Sequence, residues 1–93
     1  MEEYRDYKQK VVELRGREYT LQKIPVRRAL QLRQAWADDK GGVDTIKMCE
    51  LILKNVVVVP KLSIDDFDSV AELEELVAVA FNYAYGVSDI KNE

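Results

Sequence analysis

The residues that could do chemistry are few, and their spacing decides against most of it. Asp65, Asp66 and Asp68 form an acidic cluster that invites a calcium or magnesium reading. A calcium loop of the helix–loop–helix type needs oxygen ligands at alternate positions, a glycine at the sharp turn and a closing glutamate. Here the glycine is missing and Phe67 stands inside the run, so helix capping explains these carboxylates better. Glu74 and Glu75 are a carboxylate pair, but sequence neighbours on a helix point about 100° apart and cannot converge as acid and base. Cys49 is the only cysteine, set between Met48 and Leu51 in an apolar run, where a reduced buried thiol is expected. The chain has no histidine, which removes the commonest general base and metal ligand. Gly41-Gly42 lacks the following Lys and Ser or Thr of a phosphate loop and reads as a turn between helices. The expectation is no catalytic residue, no metal site, no cofactor and no small-molecule substrate.

Composition and charge bound the remaining choices. Ninety-three residues make one domain spanning 1–93, and 47% apolar residues against 33% charged is the balance of a folded chain. No stretch approaches the roughly 20 apolar residues that span a bilayer, and the first residues lack a signal-peptide core, so a soluble cytoplasmic protein is expected. The net charge of −3 is unevenly placed. Residues 1–40 carry ten Lys/Arg against seven Asp/Glu, whereas residues 41–93 carry four against ten. A domain polarised in this way can attract a copy of itself or a basic partner. Arg27 and Arg28, with Lys23 and Arg33, could touch phosphate, but a nucleic-acid binder needs a coherent basic face. The pI near 5.0 argues against one.

The elements follow from pattern. Two β-like runs over 8–22, separated by Arg15-Gly16, predict a hairpin that pairs Leu14 with Arg17 and Val12 with Tyr19. Two strands alone are marginal in water, so their apolar face must lie on helices or on a partner's strand. Pro25 starts a helix over about 25–38, with Val26, Ala29, Leu30, Trp36 and Ala37 as its stripe and Leu32 at the border. Arg33 projects into that stripe, either as a snorkelling side chain or paired with the aspartates near 65–68. A helix over about 44–57 starts at Asp44 and runs into Val56-Val-Val-Val59, a segment that periodicity makes helix and β-branching makes strand. The reading adopted is helix to about Val57 and an extended exit into Pro60; an exposed strand there would be a pairing edge. Ser63-Ile-Asp-Asp66 and Ser69-Val-Ala-Glu72 are successive capping-box patterns. The first starts a turn over 64–67 and the second a helix over 70–85 that stops at Gly86, followed by a loose tail over 87–93. The fold class is α+β, mostly α, a two-stranded hairpin packed on a three- to four-helix bundle.

The last helix has more apolar surface than one face requires. Val70, Leu73, Leu76, Val77, Ala80, Phe81 and Ala84 already make the roughly 100° stripe that covers a small core. Val79, Tyr83 and Tyr85 fall outside it and, with Val58 of the valine run, are the candidate partner-binding residues. They predict a homo-oligomer or a complex with a client protein; the alternative is a monomer in which they pack on the hairpin.

Four stretches stand out in order along the chain: Val12-Glu-Leu-Arg-Gly-Arg-Glu-Tyr-Thr-Leu21, Pro25-Val-Arg-Arg-Ala-Leu30, Pro60-Lys-Leu-Ser-Ile-Asp-Asp-Phe67 and Leu73-Glu-Glu-Leu76. With this order of elements the chain resembles the tail assembly chaperones of tailed bacteriophages. The resemblance implies a small, mostly helical, non-enzymatic protein of the infected bacterial cytoplasm. Such a protein would bind the long apolar tape measure protein and keep it soluble while the tail assembles. The alternative function is a small regulatory protein that binds a protein or nucleic-acid partner through its basic N-terminal half.

Overall fold

A computed structural model describes residues 8–86; the expected tail over 87–93 lies outside the described residues. The chain is α+β and mostly α, in the order β1 (Gln9–Leu14), β2 (Arg17–Gln22), α1 (Val26–Trp36), α2 (Thr45–Asn55), β3 (Val57–Val59), a 3₁₀ turn (Ile64–Asp66) and α3 (Val70–Tyr85). The three strands form one antiparallel sheet in the order β1-β2-β3, so the hairpin is part of a three-stranded sheet rather than a two-stranded unit.

The hairpin has the register that its loop dictates. Leu14 pairs with Arg17 and Val12 with Tyr19. Both loop residues take positive φ, 54° at Arg15 and 80° at Gly16, the twist that lets a two-residue loop join strands without splaying them. Tyr19 and Leu21 are buried, while Val12 and Leu14 pack half-buried against the same core.

The valine run resolves in favour of a strand, which corrects the helix drawn to Val57. α2 stops at Asn55, and Gln22 N–H donates to the Val56 carbonyl at 2.9 Å. Leu21 then pairs with Val57 and Thr20 with Val59, leaving Val58 as one extra residue that bulges the edge. The open side of β2 offers a ladder that a further helical turn could not use. Lys61 Nζ donates to the carbonyls of Lys54 (3.0 Å) and Val57 (3.2 Å), satisfying acceptors that the end of α2 and the sheet edge leave over.

The caps fall where the sequence puts them. Asp44 accepts from Lys47 N–H at 3.1 Å and Ser69 from Glu72 N–H at 3.2 Å. The Asp66 carboxylate reaches back to Ser63 N–H at 2.8 Å, and Gly86 closes α3 in the left-handed conformation at φ 71°. α1 is shorter than expected. It ends at Trp36 because Ala37 turns extended and bridges to Val43, while the Asp38 carboxylate binds the N–H groups of Lys40 and Gly42. Its buried face also differs: Ala29, Leu32 and Trp36 go inward, whereas Val26 and Leu30 are exposed.

α2 packs on both α1 and α3, and α3 lies across β2. The core between them is built on Leu21, Leu32, Ile52, Leu53, Val56, Val57 and Leu76, each nearly or fully withdrawn from water. Asn55 is the one buried polar side chain among the described residues. Its amide Nδ2 donates to the Leu51 carbonyl at 2.8 Å, and the Asn55 backbone carbonyl accepts from the Gln22 side-chain amide at 3.2 Å, so the helix end is tied to β2.

Candidate functional site

The three residues of α3 expected to form surplus surface do not stand apart from the fold. Val79, Tyr83 and Tyr85 are each half-buried and packed against the core, because α3 is covered from two sides rather than one. Tyr83 lies beside the hairpin, where Lys23 Nζ sits 4.5 Å from its ring centre and donates to its carbonyl at 2.7 Å. That contact combines a cation–π interaction with a cation at a helix C-terminus. Lys10 approaches the same ring at 5.9 Å. On the other side, the Tyr85 hydroxyl donates to the Ala29 carbonyl of α1 at 2.7 Å. Its ring stacks on Phe81 at 4.6 Å and meets Trp36 at 6.1 Å. Burial pushes the Tyr85 hydroxyl pKa up, with the nearby Arg33 cation opposing that rise. Val58 is half-buried at the β3 bulge, away from the aromatic cluster in the chain's topology.

Arg33 is exposed, and its guanidinium stands 4.9 Å from the Tyr85 ring centre. This is the snorkelling arrangement with an aromatic partner; among the described residues no ion pair joins it to Asp65, Asp66 or Asp68. Arg27 and Arg28 line a shallow hollow with Pro25 and Gln31, and Arg33 takes no part in it. The basic residues of α1 are therefore split between two places.

The acidic residues are likewise distributed. Asp66 is spent on Ser63, and Asp65 and Asp68 are exposed. Glu75 accepts from Arg15 Nε at 2.7 Å, and Glu72 lies 3.9 Å from Arg17. These pairs tie the hairpin tip to the start of α3 while remaining largely exposed. Among the described residues no group of three or more His, Cys, Asp and Glu is placed to hold a metal ion. Cys49 is buried, and that burial, with Glu74 and Glu50 adding like charge, holds its thiol pKa above the ordinary value. A thiol kept protonated in this way is a poor nucleophile.

What the helices do leave open is a groove of about 290 Å³ between α2 and α3. Met48 lines one wall, and Val77, Ala78 and Phe81 line the other, with Glu74 and Asn82 at its ends. Its lining is almost all carbon. Ala78 is exposed and Phe81 half-buried, so the groove opens to solvent along α3. The groove escapes a sequence reading because Ala78 and Met48 look like ordinary members of apolar runs. The available signal was the small Ala78 three residues before the large Phe81, a pairing that leaves a gap where a larger residue would fill the interhelical space. No helix of the described residues is long and apolar enough to cross a membrane. Comparison with models of known families, with curated proteins and with solved structures finds no match for this chain.

Proposed function

We propose that this protein is a non-enzymatic tail assembly chaperone, which holds the helical tape measure protein of a tailed phage in soluble form. Two things support the reading: the resemblance in element order from about Val11 to Tyr85, and the α2–α3 groove. The groove is the observation that carries it. An amphipathic helix is recognised by laying its apolar face into such a groove, with side chains at i, i+3, i+4 and i+7 as anchors. A wall of Met48, Val77, Ala78 and Phe81 matches that requirement, since a flexible thioether adapts to side chains of different shape. The client contact thus belongs on the Ala78 side of α3 and not on the Tyr83 side, where the hairpin already lies.

The test is co-expression with a tape measure protein. The unmodified chain is expected to keep the client in the soluble fraction. Ala78→Asp puts a charge in the groove at an exposed position, so it is expected to abolish that effect while leaving the thermal unfolding midpoint of the isolated protein nearly unchanged. A client that stays insoluble with the unmodified chain overturns the function. A client rescued equally well by Ala78→Asp moves the contact away from the groove.

A further inference from the structure

One long sheet edge is left open among the described residues. β2 is central, and the outer edge of β3 is blunted by its three-residue length, the Val58 bulge, Pro60 and the Lys61 ammonium on the Val57 carbonyl. β1 has six residues, and among the described residues no strand pairs with its outer edge. In a two-residue hairpin the residues flanking the loop exchange both hydrogen bonds, so Leu14, Val12 and Lys10 spend their backbone groups on β2. The Lys23 N–H bond to the Lys8 carbonyl, 3.0 Å long, continues that series. Gln9, Val11 and Glu13 must then turn their N–H and C=O groups away from β2, and Val11 is 58% exposed.

We infer that this edge pairs with β1 of a second copy, antiparallel and two-fold symmetric about Val11, to make a continuous six-stranded sheet. The register follows from the outward groups. With Val11 opposite the partner's Val11, Gln9 falls opposite the partner's Glu13, and each of the three pairs is of the type that exchanges two backbone hydrogen bonds. The side chains agree with this register: valine meets valine on the axis, and the Gln9 amide meets a carboxylate at both ends.

Charge selects the antiparallel direction. Among the described residues, one end of the strand carries Lys8 and Lys10. The other end carries Arg15 and Arg17 against Glu13, Glu18, Glu72 and Glu75, a local excess of two negative charges, and two of those glutamates are held there by the arginines. An antiparallel copy sets the basic end of each strand beside the acidic end of the other, twice. A parallel copy would set like against like. This inference is independent of the client-binding reading, because the edge and the groove lie on different elements.

The test uses the full chain, by light scattering across micromolar to millimolar concentration and by amide exchange read residue by residue. The expected mass is twice the 10.7 kDa of one chain. The amides of Gln9, Val11 and Glu13 are expected to exchange roughly tenfold or more slowly as the dimer forms, as closed ladder positions do. Val11→Lys places two like charges on the axis and is expected to return both the mass to that of one chain and these amides to fast exchange. Unchanged protection at Tyr19 and Leu21 in that variant shows that the hairpin is intact. A chain that stays monomeric at every concentration overturns the inference. So does a dimer that survives Val11→Lys, or one in which the Val11 amide exchanges as fast as in dilute solution.

Discussion

Tyr85→Phe isolates one contact that joins α3 to α1. The substitution removes only the hydroxyl, so the ring can keep its stack on Phe81 at 4.6 Å and its place beneath Arg33 at 4.9 Å. What is lost is the 2.7 Å hydrogen bond to the Ala29 carbonyl. That carbonyl lies inside α1, where the helix supplies its own i+4 donor, so it is not left without a partner. The cost is therefore the net value of a hydrogen bond, about 1 kcal/mol, and not the larger penalty of a buried unsatisfied group. For a domain of this size that lowers the thermal midpoint by about 4–8 °C at neutral pH. The pH dependence makes the prediction sharper. Burial raises the hydroxyl pKa above its ordinary value of 10.0, against the opposing pull of Arg33, so the folded chain holds this proton more tightly than the unfolded chain does. The stabilisation is complete below the ordinary value and is lost as the pH climbs through the folded one. Urea titrations of both proteins from pH 7 to 11 read it directly. The advantage of tyrosine over phenylalanine is expected to be flat to about pH 10 and to decline above it. Equal stability at pH 7, or a difference that stays constant to pH 11, would refute the assigned contact.

Two further outcomes bear on the fold. Gly16→Ala keeps open space around the new methyl but imposes φ +80° on a residue with a Cβ, so a loss of about 1 kcal/mol is expected in a denaturant midpoint, without any change in the sheet register. Cys49, buried and with its thiol pKa raised, is expected to react with a disulfide reagent at pH 8 far more slowly in the native chain than in guanidinium; equal rates would place it at the surface.

How much of this was legible in the sequence depends on whether the deciding physics was local. The hairpin register, the caps at Asp44 and Ser69, the Asp66 reach to Ser63 and the stop at Gly86 are settled within a few residues, by backbone dihedrals and by side chains that reach their own backbone. These could be read directly from the chain. The valine run could not, because β-branching and helical periodicity conflict there, and the vacant side of β2 decided between them. The α1 face is a similar case. Apolar residues spread over a wide arc of that helix, and the positions of α2 and Tyr85 turned Ala29, Leu32 and Trp36 inward while Val26 and Leu30 remained exposed. On α3 the sequence determined an excess of apolar surface, but not its use. The excess is a property of one helix, whereas its cover is supplied by neighbours distant in the chain: Lys23 beside Tyr83, and Ala29 and Trp36 beside Tyr85. Only tertiary packing could spend the tyrosines inside the fold and leave the gap beside Ala78, because a groove exists between two helices and is written in neither.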